Sequence, residues 1–401
     1  MDSFDSIVVG FGLAGLVTVR RLLGYGLRVA VISKSGREDR LKTKIFGAHR
    51  AFSQSLERTI TLYAGRAYRI EKGMVLAQDS EGKQFEVRGR SIVIATGAVE
   101  SLDPRFQDIE VPTFSLERAL EQDLRKKRVL IVGSDLESFL LAFSLARQAH
   151  VTFLPRGEVL QGFDSEIKQF FMTHAHLIAK DNPFFRFLGS GEIRKCDGNR
   201  VVAEVEGKEQ DIGAYEVIVV SGKKRANTLG VGLEELGVEM DSDGFVFTDD
   251  RTMTRCHDVY AVGDCTGFPF FASKAIEEAN VCASNIASKP KKIEGFRFKF
   301  FPHRRFPFAE VGMSEDMLAT LGIRYMKAIC RSSNGAFVKV LGDEKTLYGM
   351  VFAGKEVMDE SCVKKAMRRF KRSCDIIHLD SMLPPHHDCP LRKALASIGN
   401  G

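Results

Sequence analysis

The chain opens on a short β-branched run, Ile7-Val8-Val9. An apolar stretch of helical period follows over residues 16–23, and beyond a turn at Gly26 comes Arg28-Val29-Ala30-Val31-Ile32. Near-continuous apolar runs on either side of a helical segment predict a βαβ unit with two buried strands. The pattern returns further on: Arg128-Val129-Leu130-Ile131-Val132 reads as a strand, Gly133 as the turn, residues 136–148 as an apolar helix, and His150-Val151-Thr152-Phe153-Leu154 as the returning strand. Between the two units, residues 40–58 read as a surface helix and loop. Alternation over 60–70, 73–78 and 84–88 predicts a small antiparallel sheet. Ser91-Ile92-Val93-Ile94-Ala95-Thr96-Gly97-Ala98 is a buried strand that ends in small residues, so a ligand or another backbone approaches closely there.

Strands resume over 201–220, a polar turn covers 223–228, and residues 258–264 form a strand ending in Gly263-Asp264. A helix is predicted over 271–286. The basic, aromatic segment 289–308, with Pro302 and Pro307, reads as an interdomain linker. The remainder alternates strand-like stretches (325–330, 335–341, 349–353) with a basic helix over 362–372, the pattern of a compact α+β domain.

Bulk properties narrow the class. A chain of 401 residues has room for two or three domains with sizeable cores, and 44% apolar with 27% charged residues is ordinary for a soluble globular protein. The net charge of +6 is too mild to argue for nucleic acid. No apolar run reaches the length of a membrane span. The first strand begins by Ser6-Ile7, leaving no room for a signal or transit peptide, so a cytoplasmic location is expected. All 8 cysteines lie at Cys196 or later, without C-x-x-C or metal-ligand spacing, as expected for reduced thiols and no metal site.

The candidate chemistry sits in the turns. Gly10, Gly12 and Gly15 stand as G-x-G-x-x-G between the first strand and helix. Gly10 allows the tight turn, Gly12 a close approach of backbone to pyrophosphate, and Gly15 close helix–strand packing, with the helix N-terminus facing the phosphates. Ser33-Lys34 occupies the place where such folds usually carry an acid for the ribose hydroxyls, and the Ser33 hydroxyl is a weaker substitute. In the second unit Gly133 is kept, but the second and third glycine positions are Asp135 and Ser138. A carboxylate there suits a helix N-terminus and repels a pyrophosphate, so this unit reads as a scaffold or as a damaged site. Asp264, taken alone, reads equally as a cofactor contact or as a turn or N-cap residue.

Four landmarks in order carry a resemblance: the first glycine turn, Ala95-Thr96-Gly97, the second βαβ unit, and Ala261-Val262-Gly263-Asp264. Together they resemble the flavoprotein (pyridine nucleotide) disulfide reductase family, which includes dihydrolipoamide dehydrogenase and glutathione reductase. Gly222-Lys223-Lys224-Arg225-Ala226-Asn227-Thr228 resembles the family's G-R-x-P-N-T turn, and Glu310-Val311-Gly312-Met313-Ser314-Glu315 its C-terminal domain. The resemblance implies an α/β fold of two Rossmann-like nucleotide-binding domains, of FAD and NAD(P) type, with a C-terminal α+β dimerisation domain. The expected division is 1–118 with 240–288, then 119–239, then 289–401. It implies FAD with its pyrophosphate at Gly10–Gly15, Asp264 on the ribityl or pyrophosphate region, Thr96-Gly97 alongside, and a homodimer.

Departures from the family limit the chemistry. The family's C-x-x-x-x-C has no counterpart, because no cysteine lies between Lys34 and Tyr63. In the second site Leu140 stands for the family's Glu near the nicotinamide, and Pro155 for the ribose-reading acid, with Arg156 beside it to meet a 2′-phosphate. Pro385-His386-His387-Asp388 partly echoes the family's His–Glu pair, but Arg392 and Lys393 stand where the orienting carboxylate belongs. His386 and His387 are therefore weak candidates for a catalytic base, and Cys389 reads as an inert thiol. Two readings stay open within the family. One is a flavin oxidoreductase passing electrons from NAD(P)H to oxygen, a quinone or another acceptor; the other is a scaffold stabilised by FAD. From another class comes a nucleic-acid or protein-binding surface built on Phe296 to Phe301, Arg304-Arg305, Lys364-Lys365 and residues 368–372, weighed against a solvated linker and helix.

Overall fold

The computed structural model describes residues 3–34, 60–101, 106, 109–293, 297–301, 303–332, 335–359, 374–375 and 390–399. It divides into two compact units, Met1–Val99 with Arg225–Gly312, and Glu100–Lys224 with Met313–Gly401. Among the described residues no helix is long and apolar enough to cross a membrane.

The first unit is built on one seven-stranded sheet in the order Thr61–Ala64, Val29–Ser33, Ser3–Val9, Gln84–Ile94, Met74–Gln78, Arg66–Glu71, with Val259–Ala261 also paired to Gln84–Ile94. Ser3–Val9 runs parallel to both neighbours, Ile7 opposite Ala30 on one side and Ile92 on the other. The buried parts of these strands carry the apolar runs Ile7-Val8-Val9, Val29-Ala30-Val31-Ile32 and Ile92-Val93-Ile94. One face packs against the helix Leu13–Gly24 through Leu16, Val19 and Leu22, and against Ala272–Ile286 through Ala275, Cys282 and Ala283. The other face packs on Ile70, Val75, Val87, Val231 and Leu233.

Three expectations change here. The alternating strands do not form a separate small sheet. Gln84–Ile94 is a single strand of 11 residues that carries the meander into the parallel sheet, and Thr61–Ala64 pairs parallel with Val29–Ser33. The polar turn expected over 223–228 contains a strand, Lys223–Ala226. The expected linker is a hairpin, with Arg297–Phe301 antiparallel to Phe308–Gly312. Its basic and aromatic content masked a period-2 alternation, which is the strand signal.

The second unit contains a five-stranded parallel sheet in the order Phe185–Phe187, His150–Leu154, Arg128–Val132, Val217–Val220, Thr113–Ser115. It also has an antiparallel meander, Gly191–Asp197, Arg200–Val205 and Lys208–Ala214. The helices Leu136–Leu145 and Ser165–Asp181 cover the parallel sheet with phenylalanine. Phe139 makes edge contacts with Phe143, Phe153 and Phe171 at centroid distances of 5.9, 4.8 and 5.8 Å. Full burial of such a ring is worth about 2–3 kcal/mol. A C-terminal ladder pairs Met326–Arg331, Phe337–Gly342 and Thr346–Ala353, with the helix Pro390–Gly399 against the first two.

Candidate functional site

The first glycine turn is built around backbone contact. A side chain on Gly10 would bring its Cβ within 2.2 Å of the Ala95 carbonyl oxygen, at a φ of +105° that favours glycine. A Cβ on Gly15 would meet the Gly10 carbonyl oxygen at 2.2 Å, so helix and strand touch through backbone. Gly12 differs: a Cβ there meets nothing within 4 Å. It caps the helix Leu13–Gly24 without a side-chain acceptor, and no acidic residue lies in the first turn. The helix N-terminus therefore offers backbone N–H groups and a positive dipole end to open space.

Two further strand ends belong to the same unit. Ala95 donates its N–H to the Val9 carbonyl oxygen at 2.8 Å, and a Cβ on Gly97 would meet nothing within 4 Å. Thr96 Oγ1 is buried and, among the described residues, has no hydrogen-bond partner. A buried hydroxyl left in this way costs about 1–3 kcal/mol unless a ligand completes it. Ser33 is buried at its strand end and Lys34 is exposed. Gly263 and Asp264 open a short 3-10 turn, Gly263–Thr266.

That turn is held by two residues the sequence reading did not single out. Glu278 is buried and accepts the Gly263 N–H at 2.6 Å, while Lys274 lies 3.1 Å from it one helical turn back. Lys274 Nζ also donates to the carbonyl oxygens of Gly263 and Gly267, at 3.2 and 2.9 Å. Burial pushes the Glu278 carboxyl up, against the pull of Lys274. The signal in the sequence was an i,i+4 Lys–Glu pair bordering the buried stripe Ala275, Ala279 and Cys282.

The second glycine turn has the same frame and different contents. Arg128–Val132 pairs parallel with His150–Leu154 and with Val217–Val220, as the βαβ pattern required. Asp135 caps the helix Leu136–Leu145, accepting the Ser138 N–H at 2.7 Å and the Ser221 hydroxyl. Burial and the nearby Glu137 push the Asp135 carboxyl up. A Cβ on Gly133 would come within 2.2 Å of Ser138 Oγ. Leu140 is half-exposed, and the Arg156 carbonyl oxygen accepts the Ser134 hydroxyl at 2.6 Å. The donors at this turn are met by the chain's own side chain, and the space beside Gly133 by Ser138.

Glu100 lies close by, accepting the Gly222 N–H at 2.7 Å. Burial, with a smaller contribution from Asp135, pushes its carboxyl up to about 7 from 4.5, against the pull of the Gly222 N–H. A folded-state value above the unfolded one gives stability that is full below 4.5 and lost as pH rises through about 7. Glu100→Gln keeps an acceptor for Gly222 and removes the charge. It is expected to exceed the wild type in urea unfolding at pH 8 by on the order of 2–3 kcal/mol, with little difference at pH 4. Equal differences at both pH values would contradict the assignment.

A model of the pyridine nucleotide-disulphide oxidoreductase family matches residues 4–283. The chain belongs to this family. Among curated relatives, dihydrolipoyl dehydrogenase 1, mitochondrial, of Arabidopsis thaliana is 27% identical over 305 residues, covering 72% of this chain and 59% of the relative. Dihydrolipoyl dehydrogenase of Bacillus subtilis is 27% identical over 270 residues, covering 67% and 57%. The chain thus spans less than two thirds of the length of these relatives. Among solved structures, LpdA of Mycobacterium tuberculosis superposes with a TM-score of 0.76 at 16% identity, over 98% of this chain and 99% of that one. A flavoprotein disulfide reductase of Escherichia coli, RclA, superposes with a TM-score of 0.74 at 16% identity, over 100% and 99%. At such identity the likeness concerns the fold, which agrees with the expected α/β class.

Within this family the remaining expectations divide. His386, His387 and Cys389 lie outside the described residues, as do residues 35–59, Phe296, Lys364-Lys365 and residues 368–372. Among the described residues no group of His, Cys, Asp and Glu is arranged to hold a metal ion. Of the aromatic residues weighed as a stacking surface, Phe301 is buried, as are its neighbours Phe306 and Phe308. His303 stacks between Phe301 and Phe306 at 5.6 and 5.5 Å, so these rings face one another and present no platform to bases.

Proposed function

We propose that the chain is an FAD-binding member of its family that works without dithiol chemistry. The observation that carries this reading is the open first turn: an uncapped helix N-terminus, free space at Gly12, and the orphaned Thr96 hydroxyl in the same unit. In this reading Gly10, Gly12 and Gly15 shape the turn, and the helix N-terminus holds the pyrophosphate. Ser33, with Lys34 beside it, meets the ribose. Ala95, Thr96 and Gly97 run alongside the cofactor, and the Thr96 hydroxyl gains its missing partner. Asp264, fixed by the Lys274–Glu278 pair behind Gly263, accepts from hydroxyl or amide groups of the ligand. When bound, FAD supplies the capacity to accept two electrons and pass them on singly or together.

The family name refers to disulphide chemistry, and on these residues that activity is not expected, since no cysteine precedes Cys196. At most the chain retains electron transfer from a donor to an acceptor other than a disulfide. The second reading, a scaffold stabilised by its cofactor, is favoured by the plugged second turn. Bound FAD would add stability by mass action in either case. A homodimer through the C-terminal residues and the three-part division at 118/119, 239/240 and 288/289 belong to the same proposal.

Thr96→Val tests the cofactor contact. The isosteric change removes the hydroxyl and is expected to weaken FAD binding roughly threefold to tenfold, in a fluorescence titration, without lowering the stability of the cofactor-free chain. Unchanged affinity would remove Thr96 from the site.

A further inference from the structure

The second turn keeps the frame of a dinucleotide site and fills it with its own side chains. Parallel pairing is regular from His150 opposite Arg128 to Leu154 opposite Val132, and the helix begins at Leu136 directly after the turn. At that helix end, Asp135 accepts the Ser138 N–H at 2.7 Å and also the hydroxyl of Ser221, which comes from the end of the neighbouring strand. Those are the kinds of donor that an incoming pyrophosphate would use. Ser138 Oγ fills the space beside Gly133 and has no hydrogen-bond partner among the described residues. The surroundings add charge of the wrong sign: Glu137 in the first helical turn, paired with Lys224 at 3.1 Å, and Glu100 against the Gly222 N–H at 2.7 Å.

We propose that Asp135 is a built-in occupant of the second nucleotide site, so that NAD(P)H is excluded by this side chain seated in an intact turn. The inference rests on reading the second βαβ unit as a dinucleotide frame, as in the proposed function. It predicts that the site reopens when the side chain is shortened. Compared with the first turn, the missing elements are space and free N–H donors. Asp135 takes the donors and Ser138 narrows the space beside Gly133, whereas the parallel pairing and helix start are kept.

The test compares the wild-type chain with Asp135→Gly, Asp135→Ser and Asp135→Asn, titrating each with NADH and NADPH by nicotinamide fluorescence. Asp135→Ser keeps a short N-cap side chain, which protects the fold if the glycine variant does not hold its helix. The glycine and serine variants are expected to bind at least one of the two nucleotides ten times more tightly than the wild type, or more. Asp135→Asn, which still fills the turn, is expected to stay near the wild type. No gain in either shortened variant would assign the exclusion to the turn itself, and equal gains in all three would assign it to charge alone; either result overturns the proposal. Flavin content measured on the same samples separates the two readings. Loss of all flavin binding would sink the first-turn assignment while leaving the nucleotide comparison intact.

Discussion

Replacing Lys339 with Met is expected to destabilise the chain by about 3–5 kcal/mol. Lys339 is fully buried in the strand Phe337–Gly342, with Nζ 2.7 Å from Asp164 and bonded to Glu315 as well. Burial by itself would lower the Lys339 pKa; the two carboxylates reverse that and hold it up. Asp164 is also nearly inaccessible and caps the helix Ser165–Asp181, accepting the Glu166 N–H at 2.9 Å. Removing the cation takes the buried Asp164 carboxylate's ion pair away, and methionine fills the volume without meeting the charge, while Glu315 keeps Lys327 at 3.2 Å and the Tyr325 hydroxyl at 3.0 Å. The triple variant Lys339→Met, Asp164→Asn, Glu315→Gln removes all three charges and is expected to recover much of the loss, because the cost lies in burying charge without the Lys339 cation. Guanidinium unfolding of the single and triple variants decides it. A loss below about 1 kcal/mol in the single variant would mean that water reaches the carboxylates.

Gly10→Ala is expected to cost on the order of 3–5 kcal/mol and to abolish flavin binding. The new methyl group would stand 2.2 Å from the Ala95 carbonyl oxygen, on a backbone at φ +105°. Neither the sheet nor the turn can yield without breaking the Ala95–Val9 hydrogen bond of 2.8 Å. Gly12→Ala is the contrasting case. Its methyl group enters open space, so stability is expected to change by less than about 1 kcal/mol while FAD affinity falls, because the group occupies the ground a phosphate would take. Thermal unfolding and FAD titration of the two variants separate a structural glycine from a ligand-facing one. Equal effects of both on stability, with none on FAD, would place the ligand elsewhere.

Much of this was legible in the chain because the informative contacts are local. The first turn is announced by three glycines within six residues, set between a β-branched run and a helical one. The second turn is marked out by Asp135 and Ser138 at the positions where glycine was expected. Other features depend on partners distant in sequence. Lys339 meets a carboxylate 175 positions away, and only its place between Val338 and Val340 hinted that it was buried. Glu278 closes on Gly263 from a helix whose register cannot be fixed by period alone. Gln84–Ile94 was divided in two because its first half alternates, with one face covered, and its second half is buried on both faces. The segment around Arg297–Phe301 shows composition overriding pattern: its charges suggested a solvated linker, while its alternation encoded a strand.

The central claim is that the first turn holds FAD and the second is closed to its expected electron donor. The most direct test is the absorption spectrum of the purified 401-residue chain, with FAD added if needed, followed by anaerobic additions of NADH and NADPH. The account predicts the bands of a bound flavin that stay oxidised after both additions. Bleaching by either nucleotide would contradict the closed second turn, and a chain that neither copurifies with flavin nor binds added FAD would contradict the assignment of Gly10, Gly12, Gly15 and Thr96.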